Sequence, residues 1–194
     1  MNPSFYARPV LQVARDLIGC VVSRGACAGV IVETEAYHDS EPACHAFVGL
    51  TPRTQTLFGP PGHAYVYRSY GIHALLNAVC EPPGVGAAVL IRALQPVAGV
   101  ELMVARRGVS SVRELCSGPG KLTEALGISL ADNGCELLRG PVVLSAPPAA
   151  WRAVEVSVDT RIGITKAAEL PWRFCATGSR FLSRPVRARP VAPR

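Results

Sequence analysis

Two glutamates stand two residues apart in Val32-Glu33-Thr34-Glu35-Ala36-Tyr37. Side chains alternate with a period of two along a strand, so both carboxylates leave the same side. A carboxylate at the end of a buried strand can act as a general base, because burial and neighbours tune its pKa toward neutrality. Periodicity does not say which glutamate acts, and a pair of solvated edge glutamates is the competing reading. The second stretch able to do chemistry is Gly62 to Asn77, with Tyr65, Tyr67, Tyr70, Arg68, His63 and His73 inside two short apolar runs. Runs rich in Val, Tyr and Leu that meet at a glycine-containing pair predict a β-hairpin. If Tyr70 and Gly71 form a two-residue loop, Tyr65 and Tyr67 share a face and Tyr67 lies opposite Ala74. Asn77 then falls on the other face, and only a bulge or bend brings it to Tyr67. Tyr70 is placed at the tip, where an exposed ring calls for a partner to enter or stack on. Taken with Tyr37 and Glu35, the tyrosines describe an aromatic-walled pocket for a planar base with hydrolysis beside it. Two core tyrosines of an ordinary sheet are the alternative.

His45 lies among small and apolar residues, Ala43-Cys44-His45-Ala46-Phe47, a setting equally suited to a structural histidine. His38, His63 and His73 hold no metal-ligand spacing with it, and the seven cysteines contain no Cys-x-x-Cys pair, so no metal and no cofactor are assigned. Ser117-Gly118-Pro119-Gly120-Lys121 fails the phosphate-loop template, since Leu122 stands where Ser or Thr is required. What remains is a helix N-terminus with an adjacent lysine, suited to one backbone phosphate, or a plain helix cap.

The elements that must position these groups fit one domain. A chain of 194 residues buries roughly 70% of its unfolded surface. At 49% hydrophobic and 18% charged residues it is a packed globule. No apolar run approaches the ~20 residues needed to span a bilayer, and Met1 to Phe5 lacks the pattern of a signal peptide. A cytoplasmic protein with reduced thiols is expected. The net charge is +6, and of twenty basic residues only Lys121 and Lys166 are lysine. Arginine excess suits a nucleic-acid surface, although genome composition produces it too.

Along the chain, Pro9 to Cys20 has helical spacing, and Cys20 to Ser23 and Val30 to Glu35 read as strands joined through Arg24 to Gly29. Asp39 to Gly62 is a long polar connection of the kind that carries function. Ala87 to Leu94 is a buried strand carrying Arg92, and Val97 to Arg107 is helical up to Gly108. A helix runs from the Ser117 turn to Leu126. Val142 to Leu144, Val154 to Val158 and Phe174 to Thr177 are short strands, with Arg161 to Ile164 extended. Strands with irregular helices indicate mixed α+β. The basic tail, residues 182–194, is expected to be flexible.

Val32 to Tyr37, His45, Gly62 to Asn77, Leu90-Ile91-Arg92-Ala93, Leu115 to Lys121 and Arg161-Ile162-Gly163 together resemble the alkyladenine (3-methyladenine) DNA glycosylase family, in order, from about Ala14 to Phe181. The resemblance implies a mixed α+β domain with a curved antiparallel sheet and a protruding hairpin. It implies a monofunctional, monomeric enzyme that flips an alkylated purine from double-stranded DNA and hydrolyses its N-glycosidic bond. Position by position, Glu35 matches the general base and Arg92 the arginine that helps hold the attacking water. Tyr37, His45 and Tyr67 match the side chains around the flipped base. Asn77 matches the residue that rejects the guanine amino group, and Tyr70 the wedge that fills the vacated duplex space. Arg53 and Lys121 are candidate phosphate contacts. A noncatalytic module recognising distorted DNA is the competing class, and the two differ at Glu35.

Overall fold

The computed structural model describes residues 1–187. Strands β1 (Val21–Arg24) and β2 (Cys27–His38) form a hairpin around Gly25-Ala26, tighter than the expected Arg24 to Gly29 turn. Gly25 adopts a φ of 56° there. Then come β3 (Ala64–Ser69), β4 (His73–Val79), β5 (Ala87–Ala98), β6 (Val142–Ser145), β7 (Val156–Asp159) and β8 (Arg173–Ala176). All pairs are antiparallel, in the order β3-β4-β5-β2-β1-β6, with β8 joining β2 to β7. Mixed α+β is the observed class. Strand β2 is the axis of the sheet: β5 lines one side, while β1 takes Cys27 to Val30 and β8 takes Glu33 to Glu35 on the other.

The helices are α1 (Pro3–Tyr6), α2 (Val10–Asp16), α3 (Val100–Arg107), α4 (Val112–Leu115) and α5 (Pro119–Leu126). The helix expected from Val97 starts three residues later, because Gln95, Pro96 and Ala98 still pair with the first residues of β2. Asn2 caps α1 through its side chain, and Gly108 and Gly127 close α3 and α5 with left-handed backbone. None of these helices is long and apolar enough to cross a membrane.

Strand alternation divides the interior. Val32, Thr34, Ala36, Val66, Leu76, Ala78, Val89, Ile91 and Phe174 point to the helix side, where Thr34 Oγ1 donates to Ala14 O at 2.8 Å. The opposite face presents Glu33, Glu35 and Tyr37 from β2, Tyr65 and Tyr67 from β3, Asn77 from β4, and Ala88 and Arg92 from β5. A second apolar cluster gathers there, built from Cys44, Ala46, Leu57, Tyr65, Val79 and Ala88 with Tyr37, Phe58 and Tyr67 packed against it. The Asp39 to Gly62 connection supplies its roof through two 3-10 turns, His45–Val48 and Gln55–Phe58.

The β3–β4 hairpin corrects the expected register. Ser69 pairs with His73, Tyr67 with Leu75 and Tyr65 with Asn77, so the loop has three residues and not two. Tyr70 and Gly71 both have positive φ, 49° and 74°, and Ile72 N donates to Ser69 O at 3.2 Å, closing a turn of the type that suits strand twist. Ile72 is the added residue. One residue of slip exchanges faces. Asn77 therefore shares the face of Tyr65 and Tyr67 without any bulge in the hairpin.

The basic tail is anchored through its first residues. Ser183 N and Oγ donate to Glu33, and Arg187 N donates to Asp159 Oδ2 at 2.9 Å. Residues 188–194 lie outside the described part of the chain.

Candidate active site

The register between β2 and β5 slips at Glu33 and recovers at Thr34, leaving Val32 and Arg92 without facing partners. Arg92 thereby reaches two carboxylates. Its Nε donates to Glu33 Oε1 at 3.0 Å and its Nη1 to Glu35 Oε2 at 3.2 Å. Both glutamates have 0% exposure, so neither is a solvated edge residue. Their surroundings differ. Glu33 accepts from Arg92, from Arg173 Nε at 2.9 Å, and from Ser183 N and Oγ at 2.6 and 2.7 Å. Glu35 accepts from Ile162 N at 2.7 Å, from Tyr37 Oη at 2.8 Å and from Arg92. Burial pushes the Glu35 carboxyl above the ordinary carboxylate range, although the Arg92 charge and the Ile162 and Tyr37 donors pull it back. A buried carboxyl balanced in this way suits proton abstraction near neutrality. Burial and then the Glu35 charge push the Tyr37 hydroxyl up, which keeps it a neutral donor.

Beside this cluster lies a cavity of about 190 Å³ lined by Tyr37, His45, Tyr67 and Asn77, with Tyr65, Leu57 and Gly163 among the other walls. All four expected base-binding residues meet there. The rings of Tyr65 and Tyr67 stack at 5.4 Å, and His45 packs edge-on to Tyr67 at 4.6 Å. His45 Nδ1 and Tyr65 Oη are hydrogen-bond partners at 3.1 Å. Burial, then the nearby charge of Arg53, lowers the His45 pKa, favouring the neutral ring. Asn77 Nδ2 donates to Tyr65 O at 3.0 Å across the hairpin, fixing the amide's orientation. The volume lies below the roughly 300–1,000 Å³ of clefts for drug-sized ligands, so it suits a single flat ring system. Glu35 and Arg92 do not line the cavity themselves; Tyr37 spans the wall between, with its hydroxyl on Glu35.

A sequence profile of the methylpurine-DNA glycosylases matches residues 4–180. The chain belongs to the methylpurine-DNA glycosylase family. It is 55% identical over 185 residues to a Bradyrhizobium diazoefficiens protein carrying the provisional name 3-methyladenine DNA glycosylase, with 95% of this chain and 91% of that one covered. Proteins of the same provisional name from Rhodopseudomonas palustris (strain BisB18) and Nitrosospira multiformis are 56% and 52% identical, covering 95% and 91% of this chain and 91% and 90% of theirs.

In this methylpurine-DNA glycosylase-family chain the three expected DNA contacts stand apart from the cavity lining. Tyr70 is 88% exposed at the hairpin tip and shares a surface groove with Lys121, Arg107 and Gly118. Arg53 is exposed on the roof connection, close enough for its charge to act on His45, Tyr65 and Tyr67. Neither Lys121 nor Lys166 lines the cavity.

Several site residues escape a sequence reading. Arg173, Ser183 and Asp159 come from elements distant in the chain and carry no motif. Tyr65, read with Tyr67 on one face of the hairpin, gains a specific part only when its hydroxyl is found on His45. Arg161 was visible in Arg161-Ile162-Gly163, but not its place. It is buried over the Tyr37 ring at 4.7 Å and paired with Glu41 at 2.6 and 3.0 Å, so it fixes the far side of the pocket wall.

Proposed function

We propose that this protein is a monofunctional glycosylase that draws an alkylated purine out of duplex DNA into the Tyr37–His45–Tyr67 cavity and hydrolyses its N-glycosidic bond. The observation that carries the reading is a buried Glu35, held by Arg92, Tyr37 and the Ile162 amide, immediately behind a cavity walled by flat rings. Glu35 takes a proton from water as its oxygen attacks C1′ of the extruded nucleotide. Arg92 and the Ile162 amide hold the carboxylate in place. The bond to the base then breaks with its electron pair leaving on the purine. A 3- or 7-alkylated purine carries positive charge, so it departs without a proton donor. Positioning and a base are then the main needs.

The walls support a cationic guest. Electron-rich tyrosine faces attract it by about 0.5–2 kcal/mol per contact. Neutral His45 adds no repulsion. The Asn77 amide, held by Tyr65 O, stands where it discriminates among purine edges. Tyr70 fills the space left in the duplex, while Arg53 and Lys121 meet backbone phosphates. Damaged pairs also cost less to unstack, which adds selectivity. A lyase step needs an amine nucleophile for a Schiff base, and neither lysine faces the cavity. We take the working form to be a cytoplasmic monomer on double-stranded DNA, the monomer being checked by light scattering.

The test is an excision assay on duplexes carrying 3-methyladenine, 7-methylguanine, hypoxanthine or ethenoadenine, with alkali cleavage at the abasic sites formed. Release of the charged bases, no strand cleavage before alkali and no borohydride-trapped adduct are expected. A folded protein that binds these duplexes and releases none of the bases refutes the reading.

A further inference from the structure

The chemistry above uses Glu35 and Arg92 and leaves Glu33 without a part, although Glu33 is equally buried and accepts from four donors. Those donors come from three places: Arg92 on β5, Arg173 on β8, and Ser183 beyond β8, 150 residues away in sequence. Ser183 Oγ also lies 3.4 Å from Arg92 Nη2. Arg173 is itself held by Asp159 at 3.1 Å and by the carbonyl of Arg184. That is much buried charge gathered on a group that does not line the Tyr37–His45–Tyr67 cavity.

A guanidinium prefers to pair both arms of its fork with one carboxylate. Arg92 does not do so here. Its Nε goes to Glu33, leaving only Nη1, at 3.2 Å, for Glu35. With Glu33 neutralised or displaced, the 3.4 Å contact to Ser183 Oγ is what is left to oppose rotation of Arg92 into a two-pronged pair with Glu35. A second guanidinium arm would then be added to Glu35 Oε1, which accepts from the Ile162 amide, and the carboxylate would be less basic.

We infer that Glu33 is a positioning residue that divides Arg92 between two carboxylates and so keeps Glu35 available to water, and that Ser183 is the latch holding Glu33 in that position. The catalytic arrangement is therefore complete only when the segment following β8 is docked. This rests on the glycosylase reading given above. The charged and titratable groups around Glu35 are Arg92 from β5, Glu33 and Tyr37 from β2, Arg173 and Cys175 from β8 with Asp159 of β7 behind them, Arg161 beside Ile162, and Tyr67 from β3.

The experiment compares single-turnover base release, as a function of pH, for the full chain and for Ser183→Ala, Glu33→Gln and the double variant. Glu33→Gln is expected to slow release about 10–100-fold, the effect of a small misplacement at a reacting group, with lesion-duplex affinity unchanged. Its acid limb moves to lower pH, because loss of a negative neighbour and a closer Arg92 both favour ionised Glu35. Ser183→Ala produces a smaller loss, and a limb shift of the same sign, that vanish in the Glu33→Gln background, as groups acting in series require. If Glu33→Gln does not fold, Ser183→Ala with its limb shift decides alone. Unchanged rate and pH profile in a folded Ser183→Ala, or full additivity in the double variant, overturns the inference. The Arg92 Nε–H resonance gives a readout independent of activity. It moves in Ser183→Ala even in a chain that releases no base, so failure of the latch and failure of the glycosylase reading are told apart.

Discussion

Replacing Glu35 by Gln separates chemistry from folding, and both outcomes follow from its contacts. The amide keeps the shape but offers one acceptor and one donor group where the carboxylate offers two acceptors. If its oxygen faces Ile162 N, its NH2 faces Arg92 Nη1 and Tyr37 Oη. Tyr37 can rotate its hydroxyl to accept, whereas Arg92 cannot. One buried donor is orphaned in either orientation, at about 1–3 kcal/mol. Against this stands the desolvation of the Glu35 anion, which the substitution removes. A net loss of at most about 3 kcal/mol is expected, a Tm shift within about 10 °C for a chain of this size. The pH trend has a definite sign. Glu35 keeps its proton to higher pH in the folded chain than in the unfolded one. The folded state then binds more protons between the two pKa values, so this group makes wild-type stability fall as pH rises through that window. Gln does not titrate, and the stability difference shifts in the variant's favour as pH rises above the ordinary carboxylate range. Base release responds differently. Loss of a general base slows it about 10²–10⁴-fold, or about 3–5 kcal/mol at 1.36 kcal/mol per decade. The assay pairs thermal melts across pH with single-turnover release from a 7-methylguanine duplex. A folded Glu35→Gln that releases base at the wild-type rate refutes the assignment of Glu35, and a stability difference flat with pH refutes the burial argument.

Other predictions follow from single groups. Tyr70→Ala leaves Tm nearly unchanged, because the ring is exposed, but weakens binding to lesion duplex by a stacking contribution of about 1–3 kcal/mol in an anisotropy titration; equal affinity with and without the ring excludes the wedge. Arg53→Ala and Lys121→Ala each lower the salt dependence of duplex binding by about one unit of slope. Arg53→Ala also raises the His45 pKa seen by NMR titration, since one of the two influences holding it down is the Arg53 charge; an unmoved titration places Arg53 elsewhere. Six of the seven cysteines are buried, with burial pushing the Cys44, Cys116 and Cys175 thiols up to about 12. Ellman's reagent is expected to find only Cys135 quickly in the native protein and all seven after denaturation.

The strands were legible because their patterns are local. Val30 to Glu35 opens on three β-branched residues and closes on two acids, Ala87 to Leu94 is apolar but for one arginine, and a buried charge there needs a partner across the sheet. Both strands extend further than their apolar runs, to Cys27 and Ala98, because Pro96 and Gln95 complete the pairing with Gly29 and Val30. That extension depends on a neighbour and leaves no trace in either segment alone. The hairpin shows the cost of a single residue. Tyr70-Gly71 is a plausible two-residue turn, and nothing within the loop tells that Ile72 belongs to it. Burial decides: the three-residue loop sends Leu75, Asn77 and Val79 to the face of Tyr65 and Tyr67, and leaves Ile72 76% exposed at the tip. A register that buries Asn77 is tolerated because its amide meets Tyr65 O.

The site divides along the same physical line. Tyr37, His45, Tyr67 and Asn77, which line the cavity, lie within forty-one residues of one another, on β2, on the roof connection and on one hairpin, so their types and spacing advertise a pocket. The groups that join Tyr37 and Glu33 in fixing the Glu35 and Arg92 cluster arrive from the last third of the chain. Ile162 contributes only a backbone amide, which no side-chain pattern reveals. Arg173 and Ser183 look like strand-end and tail residues, and their roles exist only because β8 adds to β2 beside Glu33. Two buried carboxylates two residues apart repel each other, and Arg92 alone offers one guanidinium charge to both. A second buried cation beside them meets that imbalance, and nothing in the local sequence gives its address. Arg173, 1% exposed and bonded to Glu33, supplies it. The paired glutamates are legible locally, while their burial and the identity of their partner wait on the topology that carries the C-terminal strand to the centre of the sheet.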